Sequence, residues 1–415
     1  MHSVIGMLAI VGVAYAISSS RHNVAWKTVV IAFAIQFSVG GLALFTTWGN
    51  RALNAAADAT GALLSYSRAG IDFMFGQLAA YDGPIGFVFA VNVLPVVVFF
   101  SAFIAVLYHL GIMMWIVRIL GGGLRRCLGT SHAESMSAAA NIFVGQAEAP
   151  LVVKPFIPRM TQSELFAIMV GGLSTIAGSV MAGYVALGIP LEYLVTASFM
   201  AAPGGLMMAK LIEPEQAVPV VPDQDDQATT PRYVNIIDFK IPTYVSRQRH
   251  TTFLRMAAAI AAMLIAFVAL IALVNGILQY FGAFVGFESI TLEMILGVLL
   301  SPAAWLLGVP WADASTVGSL IGQKLILNEF VAYVAFSEVS DTLSPISQAI
   351  VIFALCGFAN LSSIAILLGG LGAIAPTRRD DISRLGVRAL IAATLANLMS
   401  ASLAGFFLSL PGAAG

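Results

Sequence analysis

Two glutamates stand in stretches that are otherwise apolar. Glu148 follows Gly145-Gln146-Ala147 between the arms Ser137–Val144 and Ala149–Ile157, and Glu329 follows Asn328 within Ala314–Phe336. A carboxylate in apolar surroundings is costly, so such residues face a cavity or a partner and mark ligand paths. Its chemistry is to accept hydrogen bonds from hydroxyls or amides. Gln146 and Asn360 each add two donors and an acceptor, enough to pair with the edge of a polar ring and with ring hydroxyls. Val180 and Phe358 offer apolar contact to the same ring. The competing reading is an ion pair that fixes packing, with Lys154 or Lys324 as the partner.

A second set offers neutral oxygens: the side chains of Asn141, Thr175 and Ser179 and the carbonyls of Val144 and Ile176. Hard cations prefer oxygen ligands, and sodium suits a set without carboxylates. Asn141 reads equally well as a cap on a short helix.

The elements that position these groups must lie in a membrane. Of 415 residues, 59% are hydrophobic and 10% charged, against roughly a quarter charged in soluble domains. The net charge of −1 gives no reason to expect nucleic acid as a partner. Cys127 and Cys356 imply no disulfide framework or metal cluster. Predicted spans are Val4–Ile17, Val29–Trp48, Gly86–Val117, Leu165–Ile189, Leu191–Leu211, Ile290–Leu307, Ile346–Leu371 and Ala389–Leu410. Ala52–Tyr81 mixes Asp58, Arg68 and Asp72 with apolar residues and reads as an amphipathic interfacial helix. Phe253–Phe284 is apolar enough to cross, but charge argues against it. With the N-terminus outside and this segment lying along the membrane, only Arg51, Arg68 and Lys324 remain outside. A crossing there would put the basic loop Thr377–Arg388 outside, against the positive-inside tendency.

The fold class expected is therefore an all-α polytopic membrane protein with eight transmembrane helices, two re-entrant helical hairpins and interfacial helices. The arms of Ser137–Ile157 reach only about 14 Å each as helices, so this stretch reads as a hairpin of two half-helices with its polar tip at depth. Ala314–Phe336 reads as the second hairpin. Two spans are interrupted, one at Gly171-Gly172, Ser174-Thr175 and Gly178-Ser179, the other at Gly357, Asn360 and Ser362-Ser363. Unwound helix there exposes carbonyls and amides to a ligand. The halves repeat in order and in opposite orientation, an inverted repeat. The expected divisions are peripheral helices at 1–48, a first repeat at 49–213 with a hairpin near 131–158, a cytoplasmic linker at 214–250, and a second repeat at 251–415 with a hairpin near 314–337.

At these residues the chain resembles the concentrative nucleoside transporters. Gly145-Gln146-Ala147-Glu148-Ala149-Pro150 is similar to their first-hairpin stretch, Leu327-Asn328-Glu329-Phe330-Val331-Ala332-Tyr333 to their second, and Cys356–Ile364 to their unwound seventh span. The resemblance implies a homotrimer in the bacterial cytoplasmic membrane, with elevator-type transport of a nucleoside such as uridine and sodium as coupling ion. It implies Gln146, Ala147, Glu148 and Val180 at the base, Glu329, Asn360 and Ser363 at the ribose, and Phe358 near the ring. Asn141, Val144, Thr175 and Ile176 would form the sodium site. Ala147 departs from the Thr or Ser usual in the family, removing a hydroxyl near the base. Two alternatives remain at this stage: proton coupling through Glu148 or Glu329, and an intramembrane enzyme. The second would need a nucleophile–base pair or metal cluster within the spans, and the sequence offers neither.

Overall fold

A computed structural model describes residues 2–80, 86–146, 148–217, 250–284, 286 and 289–410. Ala147 and most of the linker expected at 214–250 lie outside the described residues.

The long apolar runs form α-helices. The first half contains α1 (His2–Ala16), α2 (Trp26–Phe45), α3 (Thr47–Phe75), α4 (Phe89–Asn92), α5 (Leu94–His109), α6 (Ile112–Leu128), α7 (His132–Asn141), α8 (Gln162–Ser174), α9 (Gly178–Ala186) and α10 (Leu191–Ile212). The second half contains α11 (His250–Ala283), α12 (Leu292–Leu307), α13 (Trp311–Ile326), α14 (Glu329–Val339), α15 (Pro345–Leu355), α16 (Leu361–Ile374) and α17 (Arg379–Leu408). No strand occurs among the described residues. In both halves a hairpin, a broken span and a long span follow in that order: α7 with its return, α8/α9, α10, and then α13/α14, α15/α16, α17.

Four expectations change. The span predicted at Gly86–Val117 ends at His109, because Gly111 takes φ +77°, a left-handed conformation that glycine adopts without strain. The chain restarts as α6, whose Arg118, Arg125 and Arg126 make it amphipathic. Hairpin one is not two half-helices. Its return arm consists of 3-10 turns at Ala149–Val153 and Ile157–Arg159. Pro150, Pro155 and Pro158 each lack an amide N–H, and their rings obstruct a regular helix.

The third change concerns Phe253–Phe284. An interfacial helix needs a polar face, yet between Ala257 and Ala283 only Asn275, Gln279 and Tyr280 carry polar side-chain groups. These 27 residues cover about 40 Å, enough to cross. Conversely, α12, in the stretch predicted to cross, has 16 residues, about 24 Å, and the chain then bends by 115° into α13. Exchanging their roles leaves the charge distribution intact, since no Lys or Arg lies between Phe284 and Thr291.

The broken span Gln162–Ala186 is 94% buried over its apolar window, against 11% for Ala257–Ala283. The first is therefore the centre of the fold and the second its periphery. Around the centre, α17 packs against α1, α2, α8, α10, α15 and α16.

Below the hairpins lies an ionic layer that the sequence did not reveal. Capping boxes start α7 (Ser131, Glu134) and α8 (Thr161, Glu164). Glu134 is 2% exposed and pairs with Lys210 of α10 at 2.5 Å. Lys210 also donates to Ser163 Oγ at 3.0 Å. The basic loop holds the same region: Arg378 donates to the Met160 carbonyl at 2.6 Å, and Arg388 pairs with Glu213 at 2.7 Å. Breaking a buried pair costs about 3–5 kcal/mol. Lys210→Met should therefore lower the melting temperature of the purified protein sharply, and Glu134→Gln combined with it should recover most of the loss.

Candidate functional site

The two broken spans meet at their breaks. The Phe358 amide donates to the Thr175 carbonyl at 3.2 Å. The Ser174 and Cys356 carbonyls, freed where α8 and α15 stop, both accept from Asn397 Nδ2 of α17, at 2.7 and 2.9 Å. Asn397 Oδ1 accepts from Lys324 Nζ at 2.8 Å, and Lys324 also donates to the Ala354 carbonyl at 2.8 Å. Lys324 thus sits at the negative end of α15, where a cation is favoured. It turns to Asn397 and Ala354 rather than to Glu329, so a Lys324–Glu329 packing ion pair does not form.

Glu329 opens α14 directly after its cap, Asn328, whose Oδ1 accepts from the Val331 amide at 2.9 Å. One carboxylate oxygen of Glu329 accepts from the Tyr184 hydroxyl at 3.0 Å, the other from Asn360 Nδ2 at 3.0 Å. Asn360 caps α16 with its other end: Oδ1 accepts from the Ser363 amide at 2.9 Å and the Ser362 hydroxyl at 2.7 Å. Ser363 Oγ then accepts from Gln146 Nε2 at 3.3 Å. A polar chain Tyr184–Glu329–Asn360–Ser363–Gln146 therefore joins both hairpins and both broken spans. Every member is buried. Gln146 Oε1 and Asn328 Nδ2 have no hydrogen-bond partner. An orphaned buried acceptor and donor, together with a carboxylate in the same chain of contacts, suit a ligand that can both donate and accept.

The other expected residues surround this chain. Val180 is buried in the first turn of α9, and Phe358 is half-buried. Gly145 lies beside the Phe358 ring, since a Cβ built there would stand 3.8 Å from it. Glu148 shares the turn with Gln146, but its side chain is exposed. Ala147, between them, lies outside the described residues.

Asn141, the last residue of α7, is 1% exposed, and neither of its side-chain polar atoms has a hydrogen-bond partner. It caps nothing. Thr175 Oγ1 donates to the Gly171 carbonyl at 2.9 Å, and Gly171 adjoins Asn141. The Phe143 carbonyl accepts from the Gly178 amide at 2.9 Å and holds the hairpin-one tip against the first break. Val144 and Ile176 are buried at 5% and 0% exposure. A buried amide without a partner next to Gly171, which accepts from the Thr175 hydroxyl, has an oxygen of the kind a hard cation such as sodium takes.

Known proteins resemble this chain over its whole length. The family described as "Na+ dependent nucleoside transporter C-terminus" matches residues 193–405, its N-terminal counterpart residues 5–78, and "Nucleoside recognition" residues 90–191. The chain belongs to the concentrative, Na+-dependent nucleoside transporter family. The nucleoside permease NupC of Helicobacter pylori is 44% identical over 99% of this chain and 98% of its own length. A structure of CNTnw in an inward-facing substrate-bound state covers 100% of this chain and 99% of that one, at 49% identity and a TM-score of 0.92. A CNTnw variant in an outward-facing state matches at 47% identity and a TM-score of 0.91, over 100% and 99% of the two chains. This transporter is thus an integral membrane protein and not an enzyme, in a family whose structures span both sides of an alternating-access cycle.

Tyr184, Lys324 in its observed role, and Asn397 escaped the sequence reading. Asn397 carried a signal: it is a buried amide in the final apolar span. Tyr184 carried none. Gly357 makes the junction possible, because a Cβ there would stand 2.8 Å from the Ser174 carbonyl and from Asn397 Nδ2. Gly357→Ala should therefore destabilise the transporter by about 1–3 kcal/mol through overpacking, read as a lower midpoint of thermal unfolding in detergent.

Proposed function

We propose that this transporter takes up nucleosides, uridine among them, against their gradient by coupling to sodium. The observation that carries the proposal is the buried polar chain that contains Glu329 and ends on Gln146, whose Oε1 is orphaned. In this reading Gln146 and Glu148, with Ala147 and Val180 alongside, hold the base. Glu329, Asn360 and Ser363 hold the ribose, and Phe358 packs near the ring. A carboxylate fixed by Tyr184 and Asn360 keeps lone pairs for ribose hydroxyls, and such charge-assisted bonds are the strong ones. Asn141, Val144, Thr175 and Ile176 would hold sodium, which supplies the coupling to the ion gradient. Three protomers would form a homotrimer in a bacterial cytoplasmic membrane. In each, the two hairpins and two broken spans would move together as an elevator. The hydrogen bonds that join those four elements support a single moving body.

Uridine uptake into proteoliposomes should require an inward sodium gradient. Equal uptake with choline replacing sodium removes the coupling, and uptake driven by a pH gradient alone replaces it with protons. Hydrogen bonds to charged groups contribute about 1.5–3 kcal/mol. Glu329→Gln should therefore weaken uridine binding by about ten- to a hundred-fold in a filter-binding assay. Tyr184→Phe, which leaves one carboxylate oxygen without its donor, should weaken it less; unchanged affinity in Glu329→Gln would refute the ribose role.

A further inference from the structure

The proposed sodium region and the proposed ribose contacts lie on different breaks of different spans. The break after Ser174 carries Thr175 and Ile176, while the break after Leu355 carries Phe358 and Asn360. Asn397 stands between them and is 1% exposed. Its side-chain amide has two N–H groups, which match the two carbonyl contacts to Ser174 and Cys356, and its oxygen takes the Lys324 ammonium. The flipped amide would face its oxygen to two carbonyls and its NH2 to an ammonium, so the network fixes the orientation. Lys324 is 2% exposed and anchors the assembly to hairpin two and, through the Ala354 carbonyl, to the end of α15.

An amide is planar. Turning Asn397 to follow a shift of one break would take its second N–H off the other. The direct bond from the Phe358 amide to the Thr175 carbonyl ties the breaks at a second point. The geometry at one break is therefore a condition on the geometry at the other.

We infer that Asn397, held by Lys324, is a positioning residue that couples the cation region to the nucleoside region. Neither side chain is given a direct contact with either ligand. Ordering of the backbone at Thr175–Ile176 fixes the Ser174 carbonyl. Through Asn397 it fixes the Cys356 carbonyl and so presents Phe358 and Asn360. This inference rests on the proposed sodium and nucleoside sites. Coupling of this kind is reciprocal: each ligand raises the affinity for the other by one and the same factor.

The test is equilibrium binding of uridine to the purified full-length transporter, with sodium or with choline. Sodium affinity is followed separately, by the thermal shift that sodium produces with and without saturating uridine. In the unmodified protein sodium should raise uridine affinity about tenfold or more, and uridine should raise sodium affinity equally. In Asn397→Ser and in Lys324→Met both factors should collapse to below about threefold, while each ligand still binds alone. Asn397→Asp preserves volume and the oxygen facing Lys324 but loses the N–H donors. It carries the same expectation where Asn397→Ser does not fold. A purely structural role would lower the melting temperature and weaken both ligands with their coupling factor unchanged, and that result in any folded variant overturns the inference. Failure of the unmodified protein to bind uridine, or to respond to sodium, would instead overturn the proposed function and this inference with it.

Discussion

A helix interrupted inside a bilayer frees backbone groups that no water is present to satisfy. The rest of this structure is organised around that constraint. Two spans stop midway, and their freed carbonyls converge on Asn397 and Lys324. On the other side of the second break, and at the tip of hairpin two, the freed amides go to asparagine side chains. Asn360 serves α16 and Asn328 serves α14. The positions of the breaks thus decide which side chains must be amides.

Asparagine is suited to these positions because its two ends differ. Asn360 accepts from the backbone with Oδ1 and donates to Glu329 with Nδ2. An aspartate cap would accept as well but would repel the glutamate. A serine cap has one short hydroxyl for both tasks. The groups that repair the helix therefore also shape the site, and structural and binding roles coincide in one residue.

Much of this was legible in the sequence. Gly, Ser and Asn in the middle of apolar runs marked both breaks, and isolated polar groups marked Gln146, Glu329, Asn360 and Ser363. The rest was hidden for separate physical reasons. Gly111 sits inside an apolar run and ends a helix without changing hydropathy. The return arm of hairpin one has the hydropathy of a helix, while Pro150, Pro155 and Pro158 remove the amides a helix needs. The roles of α11 and α12 are compatible with the same charge distribution, so charge could not separate them. Asn397 contacts Ser174, Cys356 and Lys324, all distant in sequence and two of them through the backbone. No local pattern encodes such partners, and the same holds for Glu134 with Lys210.

The prolines of hairpin one have an electrostatic consequence. In hairpin two, α13 ends and α14 begins at the same tip, so the negative end of one helix lies beside the positive start of the other and their fields oppose. In hairpin one, α7 brings its negative end to Asn141, while the return arm, reduced to 3-10 turns, begins no α-helix there. A helix end carries about half an elementary charge, and the short 3-10 turn Ala149–Val153 opposes it less than a full α-helix would. The inverted repeat is thus symmetric in path and unsymmetric in potential. The departure from helical regularity thus sets the two tips apart electrostatically without placing any ionised side chain at Asn141.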